Sequence, residues 1–147
     1  MALTHAIHDM RDEVHDLVTI NRVDATRQAF IGLWATFVAA PLIFGIDKFA
    51  GVITTNWEGF LATWVNDLLP GTASDAVVVL GVVEILLALT IALLPRIGGD
   101  LFAIYMVLMA FSLFAVGGGT MVILGMVAIA AAICALAMAR LSTTFHG

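Results

Sequence analysis

An acidic residue inside a long apolar run is the first position in this sequence that could do chemistry. Glu84 is the only acidic residue between Ala76 and Gly99. Carboxylates are costly in a membrane, so such residues face the interior of a helix bundle or a cavity. Burial favours the neutral acid, which can donate one hydrogen bond. Glu84 is therefore the one candidate catalytic residue, acting on protons or a quinone, unless it is a structural polar contact between helices.

Two further groups are expected at the depth of Glu84. Counting residues from the ends of the apolar segments places Ser112 at about the same level. Pro41 removes a helical hydrogen bond and frees the carbonyl of Phe37 at a similar level. We therefore predict an intramembrane polar network of Glu84, Ser112 and Pro41.

A second set of residues with metal-ligand chemistry lies near the N-terminus. At about 100° per residue, one face of a helix carries His5, His8, Asp12 and His15. Imidazole and carboxylate groups bind divalent metals, but a solvated polar face explains the same pattern. No fourth ligand is forced close, so we predict no metal site and keep these four residues as its only candidates.

The remaining composition excludes several classes of protein. The four histidines lie outside the apolar segments, so a transmembrane bis-histidine haem site is excluded. Cys134 is the only cysteine and cannot perform thiol-disulfide exchange alone. Six scattered basic residues against eleven acidic ones give no surface for nucleic acid. We expect no cofactor held by this chain alone, and any chemistry to be shared with partners.

Four apolar segments must position these residues. Of the 147 residues, 62% are hydrophobic and 12% are charged, whereas a soluble domain is about half apolar and a quarter charged. The segments cover 29–46, 76–94, 101–116 and 120–139, and each is about long enough to cross the hydrocarbon layer. Ser74 and Asp75 are expected to cap the second segment, and Pro95 is expected to end it. A short link from Pro95 to Asp100, which includes Gly98 and Gly99, is expected to lead to the third segment. The sequence predicts one all-α membrane domain over 1–147, an up-down four-helix bundle.

The basic residues predict how this bundle is oriented. Lys48 lies alone beyond the first segment, whereas the opposite side of the membrane carries Arg11, Arg22, Arg27, Arg96 and Arg140. Because short cytoplasmic segments are enriched in Lys and Arg, both termini are expected in the cytoplasm of a bacterium, with the bundle in its inner membrane.

A cytoplasmic amphipathic helix is predicted over 1–26. Its apolar residues recur at steps of four and three and form one stripe, consisting of Leu3, Ile7, Met10, Val14 and Leu17. The other side is acidic and gives no attraction to anionic lipid. We therefore predict that the stripe docks on a protein partner.

The outer loop between Asp47 and Asp75 carries a second helical pattern. Thr55 and Glu58 match a capping box that would open a helix ending before Pro70. Trp57 and Trp64 lie one heptad apart, which is typical of residues that anchor a helix at the level of the lipid headgroups. The alternative is a lid over a lateral entrance for a lipid or a quinone.

Several of these residues form short motifs. Gly45-x-x-Lys48 followed by Phe49 closes the first segment, and the second contains Gly81-x-x-Glu84 with Arg96 beyond it. Over about 27–102 this pattern resembles the DoxX-like four-helix membrane proteins. The resemblance implies a small partner of redox or respiratory systems, as in a thiosulfate:quinone oxidoreductase, with Lys48 and Glu84 as the positions that carry over.

Three functions are compatible with the sequence. The preferred one is a small non-catalytic accessory subunit of a larger membrane redox or respiratory complex, with membrane lipids and other membrane subunits as partners. The alternatives are a quinone-interacting subunit of an oxidoreductase and a transporter of small solutes or protons. A quinone or a lipid stays open as a ligand.

Overall fold

The computed structural model describes residues 2–19 and 24–146, with side chains up to residue 144. Within these ranges the chain is helical and contains no strand, which confirms the predicted all-α class. Its α-helices are α1 (Ala2–Val18), α2 (Ala25–Ala50), α3 (Thr63–Leu68), α4 (Ala73–Leu93), α5 (Pro95–Val116) and α6 (Gly119–His146). A 3-10 helix spans Trp57–Phe60. Arg22, which was counted for orientation, and the side chain of His146 lie outside the described part.

Four of these helices are long and apolar enough to cross a membrane, as expected of a multi-pass membrane protein. They are α2, α4, α5 and α6, and between 28% and 50% of their most apolar windows are buried inside the protein. The remaining residues of these four helices include large apolar side chains that are exposed, for example Leu86, Ile104 and Ile123. Such surfaces are unfavourable in water and favourable in hydrocarbon.

The start of α4 differs from the prediction. Its N-cap is Thr72, whose hydroxyl accepts from the backbone N–H of Asp75, while the Asp75 carboxylate accepts from the backbone N–H of Thr72. This reciprocal pair is a capping box. Asp75 therefore takes part in the capping box as the third residue of α4, and Ser74 is not the N-cap.

The third apolar segment was predicted to begin at Leu101, but α5 begins six residues earlier. Pro95 occupies the first turn, where its missing N–H costs nothing. Gly98 and Gly99 lie inside the helix because neighbouring backbones approach them closely. A Cβ on Gly98 would lie 2.5 Å from the nitrogen of Ile91, and one on Gly99 would lie 2.9 Å from the carbonyl oxygen of Ala135. The glycines serve helix packing, not a linker.

The contacts among the four long helices define two ends of the molecule. Helix α2 packs against α4 and α6, and α5 packs against the same two helices. At one end, which we call the terminal end, α1 meets the α4–α5 junction and the last turns of α6, around Ala6, Leu94 and Ser142. The opposite end, the loop end, carries the segment from Gly51 to Thr72.

The predicted single helix of the outer loop is wrong. The 3-10 helix and α3 are separated by Leu61 and Ala62, and the N-cap of the 3-10 helix is Asn56, without a side-chain cap. The backbone N–H of Ala62 donates to the Ser112 hydroxyl at 2.9 Å, and that hydroxyl donates to the carbonyl of Phe60 at 3.3 Å. A tertiary contact to α5 thus holds the backbone in the conformation that interrupts the helix.

The apolar stripe of α1 is only partly used inside the chain. Met10 and Leu17 pack against the core, whereas the other members of the predicted stripe are exposed, namely Leu3, Ile7 and Val14. The buried face is turned toward Ala6 and Glu13. The predicted stripe therefore divides between contacts to the chain's own helices and an open surface.

Candidate functional site

The buried carboxylate of Glu84 is held by two other side chains. The Lys48 ammonium donates to Oε2 at 2.7 Å, and the Tyr105 hydroxyl donates to Oε1 at 2.5 Å. The side chains of Lys48 and Glu84 are only 6% and 10% exposed. Glu84 thus accepts hydrogen bonds, although the sequence led us to expect a neutral donor. We call these three residues the Lys–Glu–Tyr cluster.

Two glycines bring Lys48 and Glu84 together. Gly45 of α2 faces Gly81 of α4, and a Cβ on Gly45 would lie 2.9 Å from the carbonyl oxygen of Gly81. Each charged residue follows its glycine by three positions, or about 4.5 Å along the helix. The motifs Gly45-x-x-Lys48 and Gly81-x-x-Glu84 therefore describe one close crossing of two helices and the ion pair beside it.

The loop end of the cluster is covered by an indole ring. The Lys48 ammonium lies 3.9 Å from the ring centroid of Trp57, a cation–π contact. The Trp57 indole N–H donates to Asp47 at 3.0 Å. Trp57 is therefore a cover over Lys48, and its role as an interfacial anchor stays a prediction.

Asp47 organises the backbone that carries this cover. Its side chain, which belongs to a residue only 4% exposed, accepts from the backbone N–H groups of Val52 and Ile53 at 2.7 Å and of Thr54 at 3.2 Å. Gly51 ends α2 in the left-handed conformation at φ 64°, which favours glycine. Together these features turn the chain back over the end of α2, so that Trp57 reaches Lys48.

The predicted network of Glu84, Ser112 and Pro41 is not formed. Ser112 bonds to the outer loop, and both oxygens of Glu84 are occupied by Lys48 and Tyr105. Pro41 is buried inside α2, which continues through it. The depth count failed because the predicted start of α5 was six residues late.

Tyr105 was missed, although the correct helix ends identify it. Glu84 lies eleven residues after Ala73, and Tyr105 lies eleven residues before Val116. Both are therefore about 16 Å along their helices from the loop end. Tyr105 is the only tyrosine in the chain, and its hydroxyl in an apolar helix was a usable signal.

The remaining predicted site residues lie apart from the cluster. His5 faces Asp9 at 3.6 Å and His8 faces Asp12 at 3.2 Å, both on exposed parts of α1. Within 2–19 and 24–146, no three His, Cys, Asp or Glu side chains converge as metal ligands would. Trp64 is half-buried and packs against the core.

The hydrogen bonds of the Lys–Glu–Tyr cluster indicate what it can do chemically. Each oxygen of the Glu84 carboxylate accepts from a side chain of another helix, which favours a structural contact among α2, α4 and α5. Compared with protein-family models, curated proteins and solved structures, the chain matches none of them. The geometry above is therefore the basis for a functional proposal.

Proposed function

We propose that this chain is an up-down four-helix bundle of the bacterial inner membrane with both termini in the cytoplasm. The terminal end carries the exposed guanidinium groups of Arg11, Arg96 and Arg140. The half of α2 nearest the loop end carries one basic side chain, Lys48, and this side chain is buried in an ion pair. This distribution of free positive charge supports a cytoplasmic terminal end.

Cysteine labelling in intact cells tests this orientation. In a Cys134→Ala background, Asp67→Cys at the exposed loop end should react with a membrane-impermeant thiol reagent. Asp12→Cys on α1 is the matched control, and it should react only after the cells are opened. The reverse pattern would overturn the orientation.

The function that we propose is that of a small non-catalytic accessory subunit of a larger membrane redox or respiratory complex, as in the DoxX-like proteins. The observation that carries it is the exposed apolar side of α1. Leu3, Ile7 and Val14 are 64%, 48% and 50% exposed, although the adjacent face of α1, which carries Met10 and Leu17, packs against the other helices. An apolar surface of this kind is typical of a contact with a protein or a membrane.

The Lys–Glu–Tyr cluster supports a non-catalytic role. Each Glu84 oxygen has a donor within the chain, and Trp57 lies over the ammonium of Lys48. A proton carrier needs an acceptor that can exchange protons with a donor or with water. The cluster is instead arranged as an interhelical contact.

Purification from the native membrane in a mild detergent tests the proposal. Wild-type protein should co-purify with subunits of a redox complex, and Ile7→Asp should release them while the protein stays in the membrane. His8→Asp places a carboxylate on an exposed side of α1 about 100° away from Ile7 and should leave the complex intact. Isolation of the wild-type chain without any redox subunit, together with solute or proton flux in liposomes, would overturn it.

A quinone-interacting subunit is the second candidate, favoured by the position of Trp57. If its indole moved aside, the Lys48 ammonium, which has three N–H donors and gives one of them to Glu84, would offer a donor to the carbonyl of a quinone. The purified complex would then contain quinone in the wild type and lose it in Lys48→Met. Equal quinone content in both would remove this candidate.

A further inference from the structure

A pocket at the terminal end lies between α1, the α4–α5 junction and the last turns of α6. It has a volume of about 280 Å³, and no member of the Lys–Glu–Tyr cluster lines it. Three helices contribute its polar side chains, namely those of His5, Asp9, Arg96, Ser142 and Thr143. The pocket is therefore a second place where this chain could hold a polar group.

Ser142 of α6 is a buried polar residue in the wall of this pocket. The residue is 4% exposed, and its hydroxyl has no hydrogen-bond partner among the residues that the structure describes. Buried hydroxyl groups usually have a partner, because leaving one without a partner is unfavourable. A ligand atom that accepts a hydrogen bond from Ser142 would supply the partner.

The groups that α5 presents to the pocket are also hydrogen-bond donors. The exposed Arg96 guanidinium makes no ion pair or hydrogen bond with the described residues. Pro95 begins α5, and the backbone N–H of Gly98 donates to the carbonyl of Leu94 at 2.8 Å. The N–H groups of Arg96 and Ile97 precede this bond and have no acceptor within α5. Donors at the positive end of a long helix favour an anion with several acceptor oxygens, such as a phosphate.

Of the described residues that line the pocket, Asp9 is the only acidic one. Its carboxylate oxygen Oδ2 lies 3.6 Å from Nε2 of His5, one turn earlier on α1. The acid thus has a partner on its own helix, whereas the donors of α5 and α6 have none. The unpartnered groups of the pocket are therefore those that an anion would bind.

The position of the pocket indicates which molecule carries the anion. Helix α4 ends at Leu93 and α5 begins at Pro95, so the pocket lies where two helices that can cross a membrane meet at one membrane surface. Leu94 and Ile97 also line it and are 46% and 53% exposed, so its apolar part opens onto the outer surface of the bundle. Basic pockets between spans at a membrane surface are typical sites for anionic lipid head groups.

We infer that this pocket binds the phosphate of an anionic phospholipid, such as phosphatidylglycerol. The Arg96 guanidinium, the first N–H groups of α5 and the Ser142 hydroxyl donate to the phosphate oxygens, and the acyl chains lie along Leu94 and Ile97. A zwitterionic head group is disfavoured because it brings its own cation beside Arg96. The inference rests on the proposed membrane placement and is independent of the accessory role.

Native mass spectrometry of the purified full-length protein in detergent tests the inference. The probes are phosphatidylglycerol and phosphatidylcholine with identical acyl chains. Wild-type protein should bind phosphatidylglycerol about tenfold more tightly, and Arg96→Gln should remove this preference. Arg140→Gln is the matched control, because Arg140 is also exposed at the terminal end but does not line the pocket. Equal binding of the two lipids by the wild type would overturn the inference, as would equal losses in the two variants, which would indicate diffuse attraction.

Ser142→Ala tests whether the phosphate lies inside the pocket. It should weaken binding of phosphatidylglycerol about fivefold and leave the melting temperature of the lipid-free protein unchanged, since the hydroxyl has no partner in the chain. Thr144→Ala, which removes an exposed hydroxyl outside the pocket, should do neither. Unchanged binding in Ser142→Ala, or a lower melting temperature without lipid, would overturn the role of Ser142.

Competition with inorganic phosphate separates a lipid site from a site for a free anion. Excess inorganic phosphate should not displace phosphatidylglycerol, because it makes no contact with Leu94 or Ile97. Displacement by phosphate at the concentration at which a short-chain phosphatidylglycerol displaces the lipid would overturn the lipid assignment. None of these outcomes depends on whether redox subunits co-purify.

Discussion

Helix α2 carries a cation near each end, and each cation meets a buried acid. Near the loop end, Lys48 pairs with Glu84 at 2.7 Å. At the terminal end, the Arg27 guanidinium lies 3.0 Å from Glu13 and 2.8 Å from Asp16 of α1. Glu13 is 1% exposed, so both pairs contain a carboxylate that is removed from solvent.

The two pairs differ in what happens when they break. Lys48 and Glu84 belong to two helices that can cross the membrane, so their charges cannot reach water without moving a span. Arg27 instead pairs with α1, which is not one of the four long apolar helices, so its acids would reach water if α1 moved away from the other helices. An unpaired charge in a buried environment is far more costly than one that regains water. The same type of contact therefore holds spans together at one end and docks a peripheral helix at the other.

The largest expected effect comes from breaking the Lys–Glu–Tyr cluster. Glu84→Leu leaves the Lys48 ammonium buried and unpaired and should lower the free energy of unfolding by about 3–5 kcal/mol. The Lys48→Met/Glu84→Leu double variant removes both charges and should recover most of the loss, because apolar replacement of a buried pair is often neutral. Denaturation in detergent measures the free energy of unfolding of the single and the double variant. A double variant less stable than Glu84→Leu would contradict this account.

The next effect tests the helix crossing. Gly45→Ala places a Cβ 2.9 Å from the carbonyl oxygen of Gly81, which must push α2 and α4 apart. Overpacking of this kind costs about 1–3 kcal/mol. Gly32→Ala is the matched control on the same helix, since its Cβ meets nothing within 4 Å. We expect the melting temperature in detergent to fall for Gly45→Ala only. Equal decreases in the two variants would argue against a close crossing of α2 and α4.

A smaller and local effect is expected at the terminal end. Arg27→Gln removes the cation that holds Glu13 and Asp16, so α1 should open more often. Loss of about 1.4 kcal/mol of charge-assisted bonding raises amide exchange over residues 2–18 about tenfold. Exchange in α4 and α5 should stay as in the wild type. Arg11→Gln, on an exposed part of α1, is the control, and unchanged exchange in Arg27→Gln would contradict the docking role.

The smallest effect is expected from Tyr105→Phe. This change removes one hydrogen bond to Glu84 and keeps the ring, and such bonds in membranes contribute about 0.6–1.7 kcal/mol. Stability in detergent should therefore fall less than in Glu84→Leu. A loss as large as that of Glu84→Leu would mean that the phenol, not Lys48, is the main partner of the carboxylate.

Much of the fold follows from local features of the sequence. The length of the apolar segments was enough to locate the four long helices. The predicted start of the third segment, 101–116, came six residues after the observed start of α5, because Pro95 and two glycines resemble a linker. The site was predicted in part. Glu84 and the two glycine motifs were identified, but the partner of Glu84 was assigned to Ser112, because depth counting depends on knowing where each helix begins.

Sequence by itself located the four long apolar helices, since hydrogen bonding along a helix and transfer into hydrocarbon depend on the segment alone. It also determined that Glu84 needs a partner, because a buried carboxylate always does. Tertiary structure decided which partner it has. The close approach of Gly45 and Gly81, the rotation of α1 toward Glu13, and the return of Trp57 over Lys48 each depend on residues distant in the chain. Their relative positions are set by packing between helices, and a motif on one helix does not specify which residues of another helix it meets.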